Sequence, residues 1–231
     1  MDETRAIPDL GRRAARGTIL FAGALWLLIF VPAGALGYWQ GWLFWAHFSL
    51  WSAAGAWYFL KRDPALVQRR LRAGPAAERE PAQKRIQLFV MIVMCALFAV
   101  SALDYRFAWS AMPWPIVIAG NLLVAAGYLF VFLVLHENSF AASTIQVAPG
   151  QKVVATGPYA LVRHPMYAGA LLMFAGTPLA LGSWWGLAPF LLLVAGMVAR
   201  LQDEEAYLAR NLPGYEAYRS SVRWRLVPGA W

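Results

Sequence analysis

The apolar positions of this chain fall in long unbroken blocks, not in the alternating or every-third-residue patterns of soluble domains. Residues 17–39, 41–60, 86–103 and 114–135 form four such runs. Roughly 20 apolar residues in a helix match the hydrocarbon thickness of a bilayer, so each run predicts one spanning helix. Residues 166–199 are almost wholly apolar and too long for one span. Pro178 and the cluster Gly182-Ser183-Trp184-Trp185-Gly186 break that block into a tight helical hairpin. Its second arm is expected to run beyond the membrane to about Asn211, where Pro213-Gly214 stops it. The expected fold is an all-α integral membrane protein: four transmembrane helices plus a C-terminal helical hairpin, about six membrane helices in all.

The polar intervals add detail. Residues 1–16 are basic, with Arg5, Arg12, Arg13 and Arg16. Pro32 predicts a kink in the first run, and a turn is expected around Gln40, where Trp39, Trp42 and Trp45 mark an interface. In the loop 61–85, Asp63-Pro64 is a cap and first-turn pair, and Gly74 is a stop. Between them a short basic helix puts Leu66, Val67 and Leu71 on one side, suited to lie on the membrane surface. Residues 136–165 form a long connection. Thr144–Val147 and Lys152–Val154 alternate around Pro149-Gly150, which suggests a small β-hairpin. The chain thus divides into 1–135, membrane helices with an amphipathic basic loop, and 136–231, where the candidate chemistry lies.

Composition agrees with the pattern. The chain is 60% hydrophobic and 14% charged, whereas soluble domains are about half apolar and a quarter charged. The net charge of +8 is placed asymmetrically. Residues 1–16, 61–85, 136–165 and 200–231 hold nineteen of the twenty Lys and Arg, and only Arg106 falls on the other side. The positive-inside rule then puts both termini and the polar segments in the cytoplasm. The charge needs no nucleic-acid partner, and no such module is present. A single cysteine, Cys95, excludes an intrachain disulfide. No cleavable leader pattern precedes the first run. High Ala, Gly, Arg and Trp usage points to a GC-rich bacterial genome, hence an inner membrane.

Several familiar sites are absent. No two glycines are separated by one residue, so there is no dinucleotide-binding G-x-G-x-x-G turn. There is no P-loop, and the three histidines, His47, His136 and His164, lie too far apart in sequence to suggest a metal site. One stretch stands out: Gly157 to Gly169, GPYALVRHPMYAG, writes Arg163-His164 into the foot of an apolar run. Pro165 suits a first helical turn, whose free N–H groups favour an anionic group. Arg163 adds a permanent positive fork. The same two residues would also serve to anchor a helix at the headgroups. A second stretch, Arg200 to Glu205, places Leu201, Leu208 and at least one of Glu204 and Glu205 on one helix face. Arg200 and Glu204 are i,i+4 neighbours and form an ion pair on the simplest reading. Two adjacent carboxylates point about 100° apart, so one arginine cannot serve both. Together the stretches suit a zwitterionic cofactor with an aromatic base.

These residues resemble the isoprenylcysteine carboxyl methyltransferase family, in its wider bacterial, phospholipid-methyltransferase-like group. Its R-H-P-x-Y-x-G matches Arg163, His164, Pro165, Tyr167 and Gly169, and its paired Glu matches Glu204 and Glu205. Its G-Y-x-x-Y matches Gly214, Tyr215 and Tyr218. Its R-x-R-L-x-P matches Arg223, Arg225, Leu226 and Pro228, and its N-x-F matches Asn138 and Phe140. The resemblance runs from His136 to the end. It implies an integral membrane methyltransferase dependent on S-adenosyl-L-methionine, with a cytosolic cofactor pocket and a lipophilic acceptor. Gly157, Tyr159, Val162, His164, Pro165, Tyr167, Gly169, Glu204 and Glu205 are then the expected cofactor residues. Arg163, Arg200 or Arg223 would orient a carboxylate acceptor, and Glu204 or Glu205 would serve as base for an amine or thiol. Residues 1–135 carry no motif. Rival readings are N- or S-methylation of a phospholipid or small molecule, an NADPH-dependent sterol-reductase-like enzyme, and a non-enzymatic scaffold.

Overall fold

The computed structural model describes residues 9–231; Arg5 and the rest of the first eight residues lie outside them. Among the described residues the chain is all-α, with eight α-helices, two single 3-10 turns and no strand. Helix α1 spans Leu10–Ala33 and α2 spans Trp39–Arg62. A short α3, Pro64–Leu71, precedes α4, Pro81–Phe107, and α5, Trp114–Glu137. Helices α6, Pro165–Ala180, and α7, Leu187–Asn211, form the hairpin, and α8 is Tyr215–Ser221. Proline in the first turn opens α3, α4, α5 and α6, where the missing N–H costs nothing.

Helices α1, α4 and α5 are long and apolar enough to cross a membrane. Helix α2 has the same length as α1 and α5 but carries His, Gln and five Trp along it. Its direction follows from what it touches. Phe59, near its end, packs with Leu10 and Ala14 of α1, Leu66 and Val67 of α3 and Leu135 of α5. The start of α1 and the ends of α2 and α5 therefore share one end of the bundle. That end carries the basic segments. Large apolar side chains such as Ile19, Leu20, Leu27, Ile92, Leu122 and Leu129 are exposed around the bundle, as lipid contact requires.

The opposite end holds the turns after α1, α4 and α6. Exposed Trp39, Trp42, Trp109, Trp114, Trp184 and Trp185 ring it, the placement expected of an interfacial belt. Buried Asp104 ties two of those turns together. Its Oδ2 accepts from the Ser110 and Ser183 hydroxyls, each at 2.6 Å. Tyr38 stacks on Tyr105 and donates to the Leu181 carbonyl at 2.5 Å.

Three local expectations shift. Helix α1 starts at Leu10, so Arg12, Arg13 and Arg16 belong to its first turns; a helix propagates past the apolar run once nucleated. The turn is at Gly34–Tyr38, where Gly34 adopts φ 63, and Gln40 is already inside α2. Residues 144–154 make no β-hairpin. The reversal exists, closed by Gln151 N–H to the Ala148 carbonyl at 3.0 Å and Ala148 N–H to Gln151 Oε1 at 2.8 Å. Its flanks instead turn their apolar residues onto α8: Val147 and Val153 pack on Leu212, Tyr215 and Tyr218.

The tightest helix pair positions the site. Gly120 and Gly127 of α5 face Gly169 and Gly176 of α6, so the two backbones touch directly. A Cβ on Gly127 would lie 2.6 Å from Met173 N and 2.7 Å from the Gly169 carbonyl. Helix α7 packs along α4, and its Leu193, Met197 and Leu201 join Tyr167 of α6 in the central core.

Candidate functional site

The foot of α6 and the outer half of α7 meet at the basic end. His164 occupies the N-cap position of α6, and its ring is buried. Residues Arg163 and His164 do not run free: their N–H groups donate to the Trp224 and Arg225 carbonyls at 2.9 and 3.0 Å. The C-terminal segment thus lies along the foot of α6 as a strap. Leu226 anchors it in the central core.

Glu205 is the hub of this strap. Its Oε1 accepts from Arg163 Nε at 2.6 Å and lies 3.2 Å from His164 Nε2. Its Oε2 accepts from Arg225 Nε at 2.9 Å. Arg163 Nη1 also donates to the Val222 and Arg223 carbonyls, each at 2.9 Å. Burial alone would raise the Glu205 carboxyl. The hydrogen bonds from His164, Arg163 and Arg225 outweigh it and hold the group well below the usual carboxylate range. A depressed carboxyl stabilises the fold fully above its unfolded pKa, and that stability is lost progressively as pH falls from there through the folded value. The strap is therefore expected to keep its full stability down to the upper edge of the ordinary carboxylate range. Hydrogen exchange at the amides of Arg163 and His164 should show undiminished protection at pH 5 relative to pH 7. Loss of protection at pH 5 would contradict the cluster.

Glu204, one residue earlier on α7, points elsewhere. It is half-buried, accepts from the Tyr167 hydroxyl at 2.6 Å and forms no ion pair among the described residues. It faces a cleft open to solvent, walled by Asn138, Tyr159, His164, Tyr167, Glu204 and Tyr215. Thr144, Gln146 and Gln151 add polar groups from the 136–165 connection. The N-x-F residues shape that wall: Phe140 N–H donates to Asn138 Oδ1, and Asn138 Nδ2 donates to the Tyr159 hydroxyl, both at 2.9 Å. Burial first, then the neighbouring Glu204, push the Tyr159 phenol up to about 12 despite the opposing Asn138 hydrogen bond and Arg70 charge. It keeps its proton at neutral pH. A second cleft shares Met166, Tyr167, Thr144, Ile145 and Glu204 with the first and adds Arg70 and Arg200.

The expected site residues are thus divided by the fold. Tyr159, Arg163, His164, Pro165, Tyr167 and Glu204 line the first cleft. Gly157, Val162, Gly169 and Glu205 are not among its lining residues. Gly157 adopts φ 56, and a Cβ there would come 3.0 Å from the Glu137 carboxyl carbon. Val162 is buried, and Gly169 faces α5. Arg200 does not pair with Glu204. Its Nη2 donates to Glu78 Oε1 at 2.6 Å and to the Ser143 carbonyl at 3.1 Å, and its Nη1 to Gln83 Oε1 at 3.1 Å. The i,i+4 pair loses because a buried carboxylate from the α3–α4 connection reaches the guanidinium end-on. Arg223 is exposed and stacks on Trp224. Arg225 was visible in the R-x-R-L-x-P pattern but not as a site residue. Glu78 and Arg70 carry no sequence signal, because each acquires its role through contacts across the fold.

Residues 115–213 match the family model of phospholipid methyltransferase. The match covers less than half of the chain and runs from the start of α5 through α7. It supports a membrane methyltransferase, at the level of the wider group and not of the isoprenylcysteine branch. No curated protein matches the chain. The matched segment contains Arg163, His164, Tyr167, Glu204 and Glu205, so it carries both sides of the cleft.

Proposed function

We propose that this chain is an integral membrane methyltransferase dependent on S-adenosyl-L-methionine and acting on a lipid-borne acceptor, with its clefts and both termini on the cytoplasmic side of a bacterial inner membrane. The carrying observation is Glu204: a carboxylate without an ion-pair partner among the described residues, set between two adjoining clefts at the basic end of the bundle. The chemistry of the first cleft fits the cofactor. Glu204 suits an ammonium group, and Asn138, Thr144, Gln146 and Gln151 offer neutral donors and acceptors for hydroxyls and a base edge. When bound, S-adenosylmethionine supplies an electrophilic methyl on a cationic sulfonium. Methyl transfer is governed by alignment and exclusion of water. The residues of this chain serve that end: Tyr167 orients Glu204, the Glu205 cluster fixes the strap behind His164, and the 136–165 connection covers the cleft.

The acceptor side also narrows. Arg163 and Arg200 already pair with buried carboxylates of this chain, Glu205 and Glu78, and Arg223 is exposed. None of the three is disposed to hold an isoprenylcysteine-type carboxylate, and the phospholipid methyltransferase match favours a phospholipid-like acceptor. For an amine acceptor the proton is released to Glu204 through the shared wall of the clefts.

Calorimetry of the detergent-purified protein tests the reading. Wild type is expected to bind S-adenosylmethionine and not NADPH. Glu204→Gln, which keeps the shape, should weaken binding by roughly 10–100-fold, the effect of one charge-assisted hydrogen bond. Binding of NADPH alone, or unchanged affinity in Glu204→Gln, would reject the assignment.

A further inference from the structure

Three arginines gather at the basic end among the described residues, Arg163 and Arg200 buried and Arg70 half-buried, and they are not equivalent. Arg163 pairs with Glu205 and donates to two carbonyls, and Arg200 pairs with Glu78 and donates to Gln83 and the Ser143 carbonyl. Arg70, on the last turn of α3, is different. Its guanidinium has one partner among the described residues, the Met166 sulfur at 3.5 Å from Nη1, and no carboxylate in ion-pair range. An arginine offers five N–H donors, and a half-buried guanidinium bordering an apolar groove with donors to spare suits an anionic group. Burial pushes its pKa down, with the Tyr159 phenol opposing.

What surrounds Arg70 specifies the missing anion. It borders the second cleft together with Tyr167 and Glu204. On its other side it borders a groove of about 1350 Å³ empty volume between α1, α2 and α5, roofed by α3. That groove is lined by Phe21, Ala56, Phe59, Val67, Val131 and Leu135 among others, and Gly17 and Gly55 widen it. No Cβ contact exists within 4 Å of Gly55. The groove is apolar, lies at membrane depth and opens between helices whose outer faces carry exposed apolar residues. Arg70 is the charged residue lining it.

We infer that Arg70 and the α1–α2–α5 groove form a binding site for a bilayer phospholipid, with an acyl chain in the groove, the phosphate on Arg70 and the rest of the headgroup in the cleft beside Tyr167 and Glu204. This rests on the methyltransferase reading only in treating that lipid as the acceptor; the site itself follows from charge and shape. It also gives a role to α3 and to residues 1–135, which carry no motif. A planar guanidinium matches phosphate oxygens with two parallel donors, and the surrounding apolar wall strengthens the pairing.

The test uses the full-length protein in nanodiscs of neutral lipid. The probes are a lysophosphatidic acid carrying a diazirine in its tail and the monoacylglycerol with the same tail. Crosslinked peptides are read by mass spectrometry, and S-adenosylmethionine binding is measured on the same preparation. The phosphate probe is expected to label peptides of α1, α2 and α5 that line the groove about tenfold more than the neutral probe. Arg70→Gln should erase that preference, Arg70→Lys should retain most of it, and Gly55→Trp should block groove labelling by both probes. Equal labelling by the two probes, or a preference that survives Arg70→Gln, overturns the site. Groove labelling with no S-adenosylmethionine binding would leave the lipid site standing and remove the methyltransferase reading. Cofactor binding without a phosphate preference would do the reverse.

Discussion

Glu205→Ala is expected to release the C-terminal strap and to abolish cofactor binding. The carboxylate is 4% exposed and neutralises two guanidinium groups while meeting the His164 ring. Its removal leaves Arg163, itself buried, with two carbonyls and no counter-charge. Breaking a buried pair by deleting one partner costs about 3–5 kcal/mol, because the remaining charge stays desolvated. The loss should be concentrated where the cluster acts. Residues 222–226 are held to the foot of α6 by the Arg163 and His164 amides and by Arg225. Limited proteolysis in detergent should therefore cut after α8 in the variant and not in wild type, and the thermal midpoint should fall. Glu205→Gln keeps two acceptor or donor positions but no charge, so its effect should be smaller. Restoration by Glu205→Asp is not expected, since a shorter side chain cannot reach both Arg163 and Arg225. A wild-type melting curve and wild-type cleavage pattern in Glu205→Ala would show that the cluster holds nothing in place. The consequence for function is separate from Glu204→Gln: one variant loses the scaffold of the cleft, the other a group that faces into it.

Gly127→Leu is expected to be strongly damaging inside the membrane. The built Cβ would already meet Met173 N, the Gly169 carbonyl and Met173 Cβ, all between 2.6 and 2.7 Å. Two of those three atoms are backbone, so no side-chain rotation relieves the clash. Overpacking costs about 1–3 kcal/mol where side chains can adjust, and this contact belongs at or above the upper end. The helices must separate, and α6 carries Tyr167 and the N-cap His164 on its first turn. Cofactor binding should therefore drop along with stability. Gly23→Leu is the control: it lies on α1, exposed, with nothing within 4 Å of a Cβ. It should fold like wild type, since leucine suits a lipid-facing helix position. Equal yield and equal melting of Gly127→Leu and Gly23→Leu would refute close backbone packing of α5 on α6.

Membrane class, the α-helical fold, the hairpin break near Gly182–Gly186 and the paired stretches at residues 157–169 and 200–205 were legible in the linear chain. Each depends on a one-dimensional quantity: run length against bilayer thickness, proline and glycine positions, and the spacing of charged residues on one helix. The extended charge asymmetry also correctly grouped the basic segments at one end, as the common packing of Leu10, Phe59, Val67 and Leu135 shows.

Partner choice was not legible. Adjacent Glu204 and Glu205 look interchangeable in sequence, yet a rotation of about 100° about α7 turns one toward the cleft and the other into a cage of Arg163, His164 and Arg225. Arg200 had a carboxylate waiting four residues away and took Glu78 from another connection instead. Gly169 belonged to the motif but spends its missing side chain on contact with α5. The short alternating pieces around Pro149-Gly150 looked like strands, but their apolar residues found α8 to cover. By itself the sequence determined that the chain is built of helices apolar enough to enter a membrane, because desolvation acts on each segment separately. Only the tertiary structure decided, among the described residues, which carboxylate forms no ion pair, which arginine lacks a counter-ion and where an apolar groove meets a polar cleft, because those depend on groups brought together from distant parts of the chain.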